Sequence, residues 1–396
     1  MSPPQGTISG DGDFGVNDDG GYYVRTDQKT VDGGDEEFDP AVPPPFRLGE
    51  IRAAIPKHCW VRDTWQSASY ALRDFAAVFA LGAAAVYINS WWFWPLYWAA
   101  QGTMLWALFV LGHDCAHGCF SENKLVNDVV GLLVLTPVLV PFQAWRISHK
   151  HHHQYHGNID KDEAWVPVTE SVYNNLDTVS RILRFTFPFS LFSWPYYLWH
   201  GSLGKCRSHF NPYSELFTPN ERKDVMISTV WYTATVALLV WASFAFGLLL
   251  LLKVYTVPYM IFVMWLDLVT YLQHHGHDNQ IPWYRGKEWN YLRGGLTTSD
   301  HDYGWFNKIH HDAGSHLIHH LFPQIPHYHA VEATRAAKPL LGKYYREPKK
   351  SGPFPFHLIG LIATSVSRDH FVSDTGDIVY YQTDPNLHKF PWARPK

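Results

Sequence analysis

The chain has 396 residues, enough for a large core or several membrane spans. Only 17% are charged while 16% are aromatic, including 18 Trp, a balance that fits a membrane protein with interfacial aromatic belts. A net charge of -4 gives no electrostatic reason for nucleic acid to bind, and a mean hydropathy of -0.18 excludes a chain lying wholly within the bilayer.

Residues 1–45 carry ten acidic and two basic residues among Gly and Pro. This composition reads as a disordered, solvated tail, without the basic start and apolar core of a signal peptide and too acidic for a transit peptide. Residues 46–74 mix Trp60, Trp65 and Tyr70 with Arg52, Lys57, Arg62 and Arg73, the pattern of a helix lying at a membrane surface or, equally, of an ordinary packed amphipathic helix. Residues 75–111 contain no charged residue. That run is too long for one span, because the hydrocarbon layer needs only about 20 helical residues. Asn89, Ser90 and Pro95 divide it, so it reads as a helical hairpin with a tryptophan-rich turn. His113 follows the second helix.

Residues 129–145 and 182–199 are apolar but interrupted by Pro137 and Pro141, and by Pro188 and Pro195. Both read as re-entrant or interfacial. Residues 226–271 form a second apolar hairpin, with Gly247, Lys253 and Pro258 about its turn. The expectation is an all-α integral membrane protein with four transmembrane helices in two hairpins, plus interfacial helices. Residues 1–45 form the acidic tail, 46–342 the membrane domain with its cap, and 343–396 a polar extension.

Of 24 histidines, 20 fall between His113 and His329. His113 and His117 are spaced i, i+4. His149, His152 and His153, and again His316, His319 and His320, are spaced i, i+3, i+4. On a helix each set shares one face. Neutral imidazole is a good ligand for first-row transition metals, and three such faces exceed the needs of one ion. They imply a two-metal centre assembled from distant segments. Zinc favours four ligands and offers no redox chemistry, so iron with room for dioxygen suits eight imidazoles better.

Such faces can meet only if an even number of spans separates them. Basic residues are scarce in both hairpin turns, which places every cluster on the cytosolic side. His274, at a span end, is a candidate ninth ligand, and His277 a weaker one. His151 and His156 read as surface or outer residues, and His310, His311, His327 and His329 as hydrogen-bonded cap residues. Asp114, Asp160, Asp162, Asp300, Asp302 and Asp312 are candidates to accept the second N–H of a ligating imidazole. The four cysteines form no CxxC pair and read as small buried thiols.

The segments HDCAH at 113–117, HKHHH at 149–153 and HLIHH at 316–320 resemble the three histidine boxes of the membrane-bound fatty acid desaturases. Within that family, WYRGKEWNYLRGGLTT at 283–298, YYREPKKSGPFPFHL at 344–358 and DHFVSDTGDIVYYQTDP at 369–385 look most like plant-type endoplasmic reticulum omega-3 (linoleate) desaturases. The resemblance implies two Fe ions held by His113, His117, His149, His152, His153, His316, His319 and His320, with His274 at the position of an additional ligand. It implies a linoleoyl phospholipid as acyl-lipid substrate, O2 as co-substrate, and cytochrome b5 with its NADH reductase as electron source. It also implies a multi-pass protein of the endoplasmic reticulum membrane, surrounded by lipid; a homodimer or heterodimer is left open. Ala116, Cys119, His151, Gln273 and His301 depart from residues usual in the family and bear on regiochemistry. An omega-6 desaturase or hydroxylase on the same scaffold is the near alternative. A histidine-rich metal transporter is the distant one, but transporters place ligands within spans, and here the clusters flank them.

Overall fold

The computed structural model describes residues 39–387 except 206 and 276–280, together with strands β1 (Phe14–Val16) and β2 (Tyr22–Val24). His277 therefore lies outside the described residues. β1 and β2 pair antiparallel as a short hairpin inside the acidic stretch. Residues 1–39 and 40–396 are separate compact units.

The amphipathic stretch before the first hairpin is not one helix. Helix α1 (Leu48–Ala54) is followed by Pro56 and a 3-10 turn, Lys57–Trp60. Helix α2 (Thr64–Ile88) then starts eleven residues earlier than the charge-free run suggests. Asp63 sets that start: its carboxylate accepts from the amides of Trp65 and Gln66 at 2.8 and 3.1 Å, satisfying two of the orphan donors of a helix N-terminus. Asn89, with φ 40°, ends the helix in the left-handed conformation that Asn tolerates. Helix α3 (Trp94–His117) runs back, with Pro95 in its first turn and Gly118 beyond its last.

Helix α4 (Lys124–Leu135) and helix α5 (Phe142–Tyr155) are separated by the two prolines and bent by 101°. Helix α6 (Trp194–His200) is short. Helix α7 (Arg222–Phe246) and helix α8 (Val257–His274) make the second hairpin. Among the described residues, three runs are long and apolar enough to cross a membrane: Thr64–Ile88, Pro219–Phe246 and Leu248–His274. α3 is comparable in length, and 15 of its 24 residues are buried.

α3 is the axis of the packing. A Cβ on Gly102 would sit 2.5 Å from Ile261 Cβ and 2.8 Å from the Pro258 carbonyl, so only glycine lets α3 and α8 approach this closely. Close approach through small residues is how helices associate where no hydrophobic effect drives them together. Gly112 likewise admits Leu135 of α4.

The turns of both hairpins meet at the end of α3 away from the histidines. Residues Leu252–Thr256 form a π-helical turn, which alters the local backbone pairing. The Lys253 and Val254 carbonyls accept from Trp98 Nε1 at 2.8 Å and Tyr97 Oη at 2.7 Å, and the Lys253 ammonium lies over Trp91 and Trp94. From Trp94 to His113 is roughly 30 Å along a helix. The turns and the clusters therefore lie about one bilayer thickness apart.

The C-terminal part is woven into the same body. Helix α9 (His316–Leu321) and helix α10 (His327–Leu341) precede helix α11 (Phe356–Arg368), which packs on α8. Strand β3 (Trp283–Tyr284) pairs antiparallel with β4 (Ile378–Val379).

Candidate metal centre

α3 and α8 both end at one place, and α5 and α9 lie across their ends. A helix presents i, i+3 and i+4 on one face, so each contributes its imidazoles to a common interior. One ligand nitrogen each from His113, His117, His149, His153 and His319 lies within 4.8 Å of the others. His153 Nε2 is 3.2 Å from His149 Nε2 and 3.1 Å from His319 Nε2. Beside this group, His274 Nε2 lies 3.3 Å from His152 Nε2 and 3.1 Å from His316 Nε2, and its ring is 5.0 Å from that of His320. The His153 and His320 rings stack at 4.1 Å, so the two groups adjoin. All nine histidines singled out from the sequence converge, five in one group and four in the next.

The groups fit metal. His117 Nε2 and both nitrogens of His320 are buried without a hydrogen-bond partner among the described residues. Unpaired buried polar atoms are costly, and ring nitrogens clustered near 3 Å have the spacing of ligands around an ion. Burial first, then neighbouring imidazoles, pushes His316, His319 and His320 well below the ordinary imidazole range, which keeps them neutral and able to ligate.

Outer contacts orient the rings. Asp162 is fully buried; burial alone would raise its carboxyl, but the His152 and His156 imidazoles outweigh that and hold it well below the usual range. The carboxylate accepts from His152 Nδ1 at 2.8 Å, which leaves the His152 Nε2 lone pair facing the centre. His156 pairs through Nδ1 with Asp162 and through Nε2 with Thr297 Oγ1, and one of its nitrogens also lies within 4.8 Å of ligand nitrogens of His152 and His320. Asp300 accepts from the amides of His316 and Leu317 at 2.8 Å and so caps α9, while burial pushes its carboxyl up to about 6. Asp114 accepts from His327 Nδ1 at 2.8 Å, and Asp74 from His311 Nε2 at 2.6 Å.

The other carboxylates lie elsewhere: Asp160 faces Arg285, Asp302 binds Asn307, and Asp312 pairs with Lys308. His310, expected to be hydrogen-bonded, has no partner for either nitrogen among the described residues and sits against Trp106, Trp265 and Tyr303. His275, next to His274, is turned away; its Nδ1 donates to the Tyr271 carbonyl and its Nε2 meets Tyr381 Oη.

Two supports escape any reading of spacing. Trp145, one turn before His149, stacks on its ring at 4.6 Å. His209 braces α5 through Ser148 at 2.8 Å. A cavity of about 430 Å³ opens onto the histidines and is lined by Trp106, Phe109, Val110, Trp194 and Leu266. Asp267, an acid within α8, lines it too; it accepts from Ser193 Oγ and the Trp194 amide and so caps α6 against α8.

A helical membrane protein with a buried histidine cluster fit for metal at its span ends is the class that fold and site define. The chain belongs to the fatty acid desaturase family, whose model matches residues 62–350. Residues 18–84 also match a domain of unknown function, DUF3474. Among relatives, the omega-3 fatty acid desaturase of the endoplasmic reticulum of Vigna radiata var. radiata is 61% identical over 365 residues, covering 92% of this chain and 96% of the relative. The chloroplastic omega-3 fatty acid desaturase of Glycine max is 65% identical over 353 residues, 89% of this chain and 78% of the relative. The chloroplastic temperature-sensitive sn-2 acyl-lipid omega-3 desaturase (ferredoxin) of Arabidopsis thaliana is 62% identical over 353 residues, 89% and 81%.

Proposed function

We propose that the protein is an acyl-lipid omega-3 desaturase that introduces a cis double bond at the n-3 position of linoleoyl phospholipid chains. The carrying observation is the convergence of nine imidazoles beside an apolar cavity. Relatives at about 60% identity bear the omega-3 desaturase name and support the subclass.

His113, His117, His149, His153 and His319 would hold one ion, and His152, His274, His316 and His320 the other. Two irons bound there supply the activation of dioxygen. Dioxygen takes four electrons to reach two waters; two come from the carbon–hydrogen bonds and two from an external donor. The chain's own groups do the rest. The aromatic wall binds and bends an acyl chain and excludes water. Asp162 fixes His152, Asp300 fixes the start of α9, and Trp145 pins His149, so the ligand geometry exists before metal or substrate arrives.

The topology that fits is four spans: α2, α3, α7 and residues 248–274, with α4 and α5 re-entrant. The turns face the lumen of the endoplasmic reticulum and the histidines face the cytosol. Of the 343–396 extension, residues 343–387 extend the cap and 388–396 lie outside the described residues. The electron donor is cytochrome b5 with its NADH reductase; the ferredoxin in a chloroplastic relative's name makes that carrier the contrasting arm of the test. Yeast expressing the chain and fed linoleate should accumulate an n-3 triene. A hydroxylated product, or desaturation only at another carbon, refutes the reading. Membranes given reduced ferredoxin instead of cytochrome b5 should be inactive.

A further inference from the structure

A second group of ligating side chains converges away from the histidine centre. His58 and Cys59 lie on the 3-10 turn Lys57–Trp60, before α2. His329 and Glu332 lie three residues apart on α10 and share one face. One ligand atom from each of the four lies within 4.8 Å of the others. His58 Nε2 meets Glu332 Oε1 at 2.9 Å, and the His58 and His329 rings stand edge to face at 5.6 Å. Cys59 is a free thiol, fully buried at the base of the group, while His58 and Glu332 are about half exposed and free to adjust.

The pairing of His58 with Glu332 needs no metal. A surface ion pair of this kind contributes little and leaves unexplained why a thiol and a second imidazole stand within reach of it. Two imidazoles, a thiol and a carboxylate form the mixed nitrogen, sulfur and oxygen set that tetrahedral zinc takes, with bonds of roughly 2.0–2.3 Å. Neighbouring ligand atoms then stand about 3.3–3.8 Å apart. Small movements of the two exposed side chains bring 4.8 Å into that range. The soft thiolate also sets this group apart from the all-imidazole centre.

We propose that His58, Cys59, His329 and Glu332 form a mononuclear zinc site that clips the segment leading into α2 to α10. The same seam carries the hydrogen bond from the Asp63 amide to Tyr328 Oη. α10 begins with His327, which bonds Asp114 beside His113. The clip therefore fastens the helix that follows the third histidine cluster to the chain that enters the first span. Binding converts the Cys59 thiol to thiolate and releases its proton, with no change of oxidation state. Burial and then the Glu332 carboxylate push the free thiol up.

The test uses the full chain purified in detergent with its iron in place, titrated with Co2+ and then Zn2+. One equivalent of Co2+ should give a near-ultraviolet thiolate-to-cobalt charge-transfer band that Zn2+ abolishes. Cobalt entering the histidine centre gives no such band, because only nitrogen is offered there. Cys59→Ser should remove the band. His58→Ala and Glu332→Gln, both at exposed positions, should weaken zinc binding by about tenfold or more, the scale on which even outer contacts matter. All three variants should desaturate as the unaltered chain does. Absence of the band, its persistence in Cys59→Ser, or equal zinc affinity in the two exposed-residue variants overturns the proposal. Those two variants decide the matter even if Cys59→Ser fails to fold.

Discussion

Asp162 offers the sharpest test of how the centre is preorganised. It accepts from His152 Nδ1 at 2.8 Å, from the Ala164 amide at 3.1 Å and from His156 Nδ1 at 3.2 Å, with no exposure to solvent. Asp162→Ala leaves the His152 and Ala164 donors buried and unpaired, at about 1–3 kcal/mol for each. It also frees the His152 ring to rotate away from the ion. Losing such a carboxylate reduces metal affinity by about 10–100-fold, or about 1.4–2.7 kcal/mol. Asp162→Asn is the informative control. Its carbonyl still accepts from His152 and Ala164, and its amide can donate to His156 Nδ1 if that ring carries its proton on Nε2, where Thr297 Oγ1 can accept it. The asparagine variant should therefore keep most of its iron. The assay is iron per inserted polypeptide after equilibration against a graded series of chelators. Equal iron retention by the alanine variant and the unaltered chain would refute the reasoning.

Other outcomes follow from the same geometry. His274→Ala should lose iron and n-3 product as completely as His316→Ala, whereas His151→Ala should retain both; fatty acid profiles and iron content check this. Gly102→Leu should lower thermal stability by more than the roughly 1–3 kcal/mol of ordinary overpacking, because its Cβ alone would sit 2.5 Å from Ile261, and a melting temperature in detergent reports it. Lys253→Ala removes the ammonium from the Trp91 and Trp94 faces and should cost about 0.5–2 kcal/mol without changing the product, as melting and product profiles together would show. Gln273 lines the cavity beside His274 and donates to the Ala313 carbonyl at 2.7 Å, so Gln273→Leu should alter the ratio of n-3 to other products more than it alters iron content.

Much of the site was legible because its signal is local. Spacing of i, i+3 and i+4 fixes a helix face whatever the fold, and clusters beside charge-free runs must lie at span ends. The nine histidines follow from those two facts and the resemblance. Asp162 and Asp300 were candidates by proximity in sequence, but nothing local separates them from Asp160 or Asp302, which pair with Arg285 and Asn307 instead. Which acid is oriented inward depends on the fold around the loop. His209, which reaches α5 from 61 positions along the chain, and the β3–β4 pair, which joins segments about 95 residues apart, are set by long-range packing and leave no periodic trace. The charge-free run begins at residue 75, eleven residues into α2, because Asp63 as a cap and Pro56 as a break, not the absence of charge, decide where that helix starts. Asp267 is an acid within α8, and the approach of Ser193 and Trp194 gives it a role.

The account turns on two adjoining groups of imidazoles each holding an iron. Iron stoichiometry combined with iron X-ray absorption on the purified full chain tests this most directly. The account predicts two irons per polypeptide in a nitrogen-rich shell, with His274→Ala altering the sites of only one of them. A single iron per chain, or sulfur in the iron shell, would contradict it.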